Sequence, residues 1–375
     1  MTTKSQIAIV GGGPGGLMLA RLLQLRSFEV TVFERDRSED DRPQGGSLDL
    51  HGDTGQRAMR IAGLQREFIA AARPEDQGDR LYDENGTLLF DRDGGDDDRP
   101  EIDRSELRKI LLNSLAPATV RWGSQVEAIV PRADGSFNVI ANGSAERFGI
   151  VIGADGAWSR VRPLISDATP KYEGVTLVEY GFDTRRHSNV DRLVGSGKMF
   201  AVGDNRILIA QRNGHGHIRG YAGLRVSEAT ARDWTRQTPA RIRATLRDAF
   251  AGWAPELTDL IESGEFIAVR PLYALPIRHK WRSRQGVTLL GDAAHLMSPF
   301  SGEGVNLALA DAVDLAEAFA SSEGWRAVAE CEVEIMKRAV PAAEGAAEGL
   351  NGSFSSNAVA DVLAHYKERV EASGL

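Results

Sequence analysis

Ile7-Ala8-Ile9-Val10-Gly11-Gly12-Gly13-Pro14-Gly15-Gly16, followed by Val30-Thr31-Val32-Phe33-Glu34, decides the fold. A short apolar run leads into glycines. Leu17, Leu19, Ala20, Leu22, Leu23 and Leu25 then crowd together as a helix packed on a sheet requires. Val30 to Phe33 is β-branched and aromatic, the composition of a buried strand. Residues 7–34 therefore read as strand, turn, helix, strand. Gly11, Gly13 and Gly16 make the spacing G-x-G-x-x-G, with Gly15 inside it. The first glycine allows a tight turn, the second a close backbone approach to a pyrophosphate, and the third close helix–sheet packing. The helix start offers free N–H groups and partial positive charge to phosphates. Glu34 ends the second strand, where a carboxylate can accept hydrogen bonds from ribose hydroxyls. The unit is a dinucleotide site, and by itself it leaves FAD and NAD both open.

The whole chain is compatible with such a protein. Its 375 residues suffice for one large or two modest domains. With 42% hydrophobic and 26% charged residues it has an ordinary globular composition. A net charge of −8 argues against a nucleic-acid or anionic-membrane binder, which needs a basic surface. Cys331 is the single cysteine, so there is no intramolecular disulfide and no cysteine-only metal site. That usage fits a reducing, cytoplasmic compartment. Met1 to Gln6 runs straight into the first strand without the pattern of a secretory signal. No apolar run approaches the ~18 residues of a membrane helix.

Further along, Asp91 to Asp98 reads as a solvated loop, and Arg104 to Leu115 has helical spacing at Leu107, Ile110, Leu111 and Leu115. Val126–Val130 and Phe137–Ala141 read as hairpin strands around Asp134-Gly135. Residues 172–280 alternate strand-like pieces (Val175–Val178, Ile207–Ala210, Ile218–Leu224) with one helical piece near Ala240–Phe250. Val287–Leu290 is a buried-strand run, Val305–Phe319 a helix, and Val359 to Val370 a terminal amphipathic helix of mixed charge. His215-Gly216-His217 reads as a polar strand or turn pair rather than a metal site, and no metal is expected.

Two more segments choose between the dinucleotides. Val151-Ile152-Gly153-Ala154-Asp155-Gly156 is a strand ending in an Asp-Gly turn, continuing to Ser159, Arg160 and Arg162. Gly291-Asp292-Ala293-Ala294-His295 follows another strand and precedes Pro299-Phe300-Ser301-Gly302-Glu303-Gly304-Val305-Asn306. With these motifs in this order, the chain resembles the class A flavin monooxygenases of the para-hydroxybenzoate hydroxylase type. The resemblance implies that the first glycine motif holds the FAD pyrophosphate. It also implies that Asp155 braces the flavin and that Asp292 binds the ribityl chain. The Pro299, Gly302, Gly304, Val305 and Asn306 turn is implied to lie against the flavin ring.

Gly45-Gly46-Ser47-Leu48-Asp49-Leu50-His51, Gly55-Gln56 and Ile102-Asp103-Arg104-Ser105-Glu106-Leu107-Arg108 look like the tetracycline-inactivating (TetX-type) members. That closer resemblance implies FAD contacts from Arg35, Asp49, Arg104 and Arg108, and an NADPH contact from Arg42. The family's substrate contacts, a glutamine and an arginine, align with Glu179 and Lys198. The change of residue type there puts tetracycline itself in question.

The expected architecture is α/β. A Rossmann-like FAD-binding domain takes residues 1–171 and 281–345, a sheet-rich substrate domain 172–280, and a C-terminal bridging helix 346–375. The expected activity is hydroxylation of an electron-rich phenol or enol, a tetracycline or related polyketide included, by a monomeric enzyme. NADPH and molecular oxygen are the expected co-substrates, a flavin hydroperoxide delivers the oxygen atom, and no acid–base residue is expected. Two alternatives stand beside it: a reductase or halogenase on the same fold, and a non-catalytic flavoprotein that sequesters a ligand.

Overall fold

Ile7–Val10 forms the middle strand of a five-stranded parallel sheet, ordered Val287–Leu289, Ile150–Gly153, Ile7–Val10, Val30–Phe33, Val120–Arg121. Ile9 faces Ile152 on one side and Val32 on the other. All four residues of the middle strand are buried, as a strand covered on both faces requires. These coordinates are a computed structural model, and it describes residues 6–41, 45–93 and 98–372.

The chain divides into two units. The first comprises Met1–Ala71, Arg104–Lys171 and Tyr273–Gly345. Helix Pro14–Leu25 begins with proline in its first turn, where the missing N–H costs nothing. It buries Leu17, Leu19, Leu22 and Leu23 completely, each contributing about 1.5–3 kcal/mol. It meets helix Gly304–Ala320 at Gly15, where a Cβ would fall 2.6 Å from Leu290 Cδ1 and 3.1 Å from Ala308 Cβ. The expected hairpin is present as Val126–Pro131 and Phe137–Ala141, extended by a third strand, Ser144–Phe148.

The second unit comprises Ala72–Asp103, Tyr172–Leu272 and Ala346–Leu375. Its seven-stranded sheet is ordered Glu265–Ala274, Lys171–Asp183, His217–Arg225, Arg206–Arg212, Gly197–Gly203, Gly78–Tyr82, Leu88–Arg92. One face carries Val178, Tyr180, Phe182, Met199 and Leu208 into a core with Trp234, Leu246, Phe250 and Leu257. Four helices supply that core: Ser188–Val194, Glu228–Trp234, Pro239–Ala249 and Pro255–Glu262. The sequence pattern had revealed only the third. Ser227 and Thr238 start two of them, their side chains accepting the Thr230 and Arg241 N–H groups.

Residues 72–103 were expected with the FAD-binding domain but belong to the second unit. Gly78–Tyr82 pairs in parallel with Gly197–Gly203, and the approach demands glycine: a Cβ on Gly197 would lie 2.1 Å from the Gly78 carbonyl oxygen. Asp91 and Arg92, expected in a loop, end the strand Leu88–Arg92, while residues 94–97 of that loop lie outside the described residues. Residues 273–280, expected with the substrate domain, cluster with the first unit. The terminal segment clusters with the second. There Arg225 Nε donates to the Phe354 carbonyl at 2.9 Å, and Tyr366 stacks on Phe90 with ring centres 5.0 Å apart. No helix among the described residues is long and apolar enough to cross a membrane.

Candidate active site

The parallel sheet brings the three sequence motifs to one edge. Adjacent parallel strands run the same way, so the loops after Ile7–Val10, Ile150–Gly153 and Val287–Leu289 all leave at the carboxyl ends. That edge is where open α/β sheets bind nucleotides. Gly11, Asp155 and Asp292 therefore meet although 281 residues separate the first from the last (292 − 11).

The glycines of this loop differ in what surrounds them. Gly11 has φ +109°, and a Cβ there would strike the Ala154 carbonyl oxygen at 2.2 Å. Gly16 packs on Gly11, where a Cβ would come within 2.2 Å of its carbonyl oxygen. Gly13 is different: a Cβ would meet nothing within 4 Å. The chain leaves an open cradle at the helix start, where Leu17 N–H to Gly13 O begins the helical ladder. The N–H groups of Gly15 and Gly16 precede that ladder and carry the helix's partial positive charge. This donor set fits a pyrophosphate.

Glu34 is buried, and its carboxylate is already engaged. Oε2 accepts the Gly12 N–H at 2.8 Å and Oε1 the Asp36 N–H at 2.9 Å. It shapes the phosphate loop, and its remaining lone pairs are what a ribose could use. Arg108 is buried as well. Nε donates to Gly12 O at 3.3 Å, Nη1 to Glu39 O at 2.9 Å and Nη2 to Asp36 Oδ2 at 3.3 Å. In this arrangement Arg108 braces the loop from beneath. Arg35 and Arg104 are exposed, and Arg104 lies beside Gly45. Arg42 lies outside the described residues.

Asp155 Oδ2 accepts the Arg160 N–H at 2.6 Å, while Oδ1 is buried without a partner among the described residues. Burial raises the pKa of this carboxyl above the usual carboxylate range, opposed by hydrogen bonds from Ser159 and the Arg160 N–H. Arg162, which sequence reasoning left unassigned, ties two motifs together. Its Nε donates to Ala293 O at 2.9 Å and its Nη2 to Ala157 O at 2.7 Å. Burial lowers its pKa, and the charges of Asp155 and Asp292 work the other way. Asp292 itself is exposed at the sheet edge, free of the core.

The turn before helix Gly304–Ala320 has Gly302 in the left-handed region at φ +69°, with Pro299 exposed before it. Among the described residues no side chain caps this helix, and a Cβ on Gly304 would meet nothing within 4 Å; the first-turn N–H groups, that of Val305 included, have no acceptor within the helix. The Asn306 side chain does something else. It is fully buried: Oδ1 accepts the His51 N–H at 2.9 Å and Nδ2 donates to the Asp49 carbonyl at 2.9 Å. Asn306 therefore clamps the Asp49 segment to this turn. His51 then lies between two carboxylates, Nε2 at 3.2 Å from Asp49 Oδ2 and Nδ1 at 3.5 Å from Glu303 Oε2.

A buried charge cluster supports the Gly291-Asp292 turn. His295 Nε2 is 2.6 Å from Asp311 Oδ2, which also accepts the Gly291 N–H at 3.0 Å. Arg338 Nη2 reaches Asp311 Oδ1 at 2.8 Å. Burial opposes the charge on both His295 and Asp311. Their mutual attraction outweighs it, raising the histidine pKa and lowering the aspartate's. The sequence signal for Asp311 was present, since it is a lone acid amid Leu307, Leu309, Ala310, Ala312 and Val313.

In the second unit, Glu179 and Lys198 stand on the sheet face opposite the helix-covered core. Glu179 is 2% exposed and pairs with Arg219 at 3.4 Å and Arg270 at 2.8 Å. Lys198 Nζ is 3.5 Å from Asp79 Oδ1. His215 sits in a turn at φ +60°, and no group of metal-binding side chains occurs among the described residues.

Comparison with known proteins agrees with this geometry. The family described as "FAD binding domain" matches residues 4–331. Monooxygenase asqM of Emericella nidulans is 35% identical over 369 residues, covering 83% of this chain and 83% of the relative. The 3-amino-4-hydroxybenzoate 2-monooxygenase PtmB3 of Streptomyces platensis is 29% identical, covering 85% and 81%. The tetracycline destructase Tet(51) superimposes with a TM-score of 0.75 at 20% identity, covering 98% of this chain and 95% of the other, a likeness of fold. The chain thus belongs to the FAD-binding-domain family of flavin-dependent monooxygenases.

Proposed function

We propose that this enzyme uses NADPH and molecular oxygen to hydroxylate an electron-rich phenol or enol, an aromatic acid or a tetracycline-like polyketide. One observation carries the reading: the phosphate loop, the Asp155 turn and the Asp292 turn converge on one sheet edge beside an uncapped helix start. The Gly13 cradle and the N–H groups of Gly15 and Gly16 receive the pyrophosphate, with Glu34 at the ribose. Asp292 takes ribityl hydroxyls. Arg35, Asp49 and Arg104 reach the cofactor from its exposed side, and Arg108 acts through the loop it braces. The open helix start at Gly304 and Val305 offers N–H donors and partial positive charge, which favour an electron-rich flavin ring. Bound there, FAD supplies electron transfer from the nicotinamide and activation of oxygen. Glu179 and Lys198 belong to the substrate's side of the reaction. Arg42 is the proposed contact for NADPH, and the single, half-buried Cys331 suits a cytoplasmic enzyme.

The test is direct. Purified protein is incubated with FAD, NADPH and labelled oxygen against tetracyclines, aminohydroxybenzoates and simple phenols. Substrate-dependent NADPH oxidation with a product heavier by one labelled oxygen atom is the expected result. Protein that takes up no FAD, or takes it up and never couples NADPH oxidation to a substrate, would sink the proposal.

A further inference from the structure

The sheet face that carries Glu179 holds more positive charge than that carboxylate can neutralise. Glu179 is 2% exposed, and an ion so buried persists only when paired. One arginine would be enough. Two are present: Arg219 Nη1 lies 3.4 Å from Oε1, while Arg270 Nε and Nη2 both lie 2.8 Å from Oε2. Among the described residues no other carboxylate forms an ion pair with either guanidinium. One carboxylate between two guanidiniums leaves a local charge of +1. Arg270 is also the outward member, its side chain 53% exposed against 17% for Arg219.

The strand register extends this cluster. Arg219 stands opposite Gln211, and Gln211 opposite Lys198, one row across three neighbouring strands. With strands about 4.8 Å apart, Arg219 and Lys198 are roughly 10 Å apart along the row, the span of a fused two- or three-ring molecule. Arg219 and Lys198 alternate with core residues such as Ile218 and Met199, so their side chains leave the sheet on the Glu179 face.

We infer that Arg270 and Arg219, oriented by Glu179, recognise an anionic oxygen group of the ring substrate, a carboxylate or an ionised enol. Glu179 is then a positioning residue: it fixes the arginine forks without touching substrate, and the excess charge is left for the ligand. A planar fork held in place matches a carboxylate or a β-dicarbonyl enolate in bidentate fashion. This rests on the proposed oxygenase function for the identity of the ligand as substrate.

Equilibrium binding to the FAD-loaded enzyme tests it without requiring turnover. The calorimetric probes are 3-amino-4-hydroxybenzoate, its neutral counterpart 2-aminophenol, and a cyclic β-triketone that ionises without a carboxylate. Wild type is expected to bind at least one anionic probe about 10-fold or more tighter than 2-aminophenol. Arg270→Ala removes most of that preference and leaves 2-aminophenol unchanged. Arg270→Lys restores part of it, which a merely structural role would not do. Which anion responds tells carboxylate from enolate. Arg270→Ala binding both anionic probes as wild type does, with FAD content and unfolding midpoint retained, overturns the inference. Arg270-dependent binding of an anion without any oxygen incorporation upholds it and removes the oxygenase reading instead.

Discussion

Asn306 Oδ1 accepts the backbone N–H of His51 at 2.9 Å, joining positions 255 residues apart. The same amide donates to the Asp49 carbonyl at 2.9 Å. One fully buried side chain therefore fixes the segment that carries Asp49 against the turn that carries Gly302 and Gly304.

Asn306→Ala removes both of these hydrogen bonds from part-buried backbone groups. Each such hydrogen bond contributes about 0.5–1.5 kcal/mol, so urea unfolding of the apoprotein should show a loss of roughly 1–3 kcal/mol. FAD affinity should fall as well, because Asp49 loses its anchor. A variant of unchanged stability would show that the clamp is dispensable.

Two glycine substitutions should separate folding from cofactor binding. Gly11→Ala meets a carbonyl oxygen at 2.2 Å with φ +109°, and should cost about 3 kcal/mol or more. Gly13 has φ −79° and ψ 175°, which alanine adopts freely, and open space around its Cβ. Gly13→Ala should keep wild-type stability without FAD and bind FAD about 10-fold more weakly or worse, because the methyl fills the cradle. FAD titration beside apoprotein melting checks both. Equal FAD affinity in Gly13→Ala would mean that the pyrophosphate lies elsewhere.

The His295–Asp311 pair should show in the pH dependence of stability. The histidine's folded pKa is raised above its unfolded value of about 6.5. Its stabilisation is complete below that unfolded value and is lost as pH rises through the folded one. The gap in melting temperature between wild type and His295→Gln should therefore narrow as pH climbs above about 6.5. Asp311 has the opposite shift, so its contribution disappears only in acid, as pH falls through its depressed pKa. A gap that stays constant from neutral to alkaline pH would contradict the charged pair.

Cys331 should be inert. Burial pushes its thiol up to about 12, with the negative charges of Asp314 and Asp311 adding to the effect. At pH 8 the thiolate fraction is on the order of one in ten thousand. Ellman's reagent should label it only after unfolding, and rapid labelling of the native protein would place the thiol in a different environment.

Much of the first unit was legible along the chain. The run from Ile7 to Glu34 has local causes, namely strand-forming side chains, glycines at fixed spacing and an apolar helix face. The motifs at Asp155 and Asp292 likewise announce their own turns, at the end of one strand and just after another. Residues 72–103 were misassigned because a parallel pairing between Gly78 and Gly197 joins distant segments, and nothing local reports it. The helices at Ser188, Glu228 and Pro255 were missed for a related reason: they are short, and their apolar residues answer to a core assembled from the whole second unit.

The sequence by itself determined the strand–turn–helix at its start, because glycine geometry and strand composition act over a few residues, and its ordered motifs carried the resemblance to the family. Only the tertiary structure decided what the polar side chains do. Glu34 and Arg108 turned out to shape the loop, Asn306 to clamp a distant segment, and Glu179 to hold two arginines. Hydrogen bonds and ion pairs depend on distances of about 3 Å, and the sheet register, not the order of residues, sets those distances.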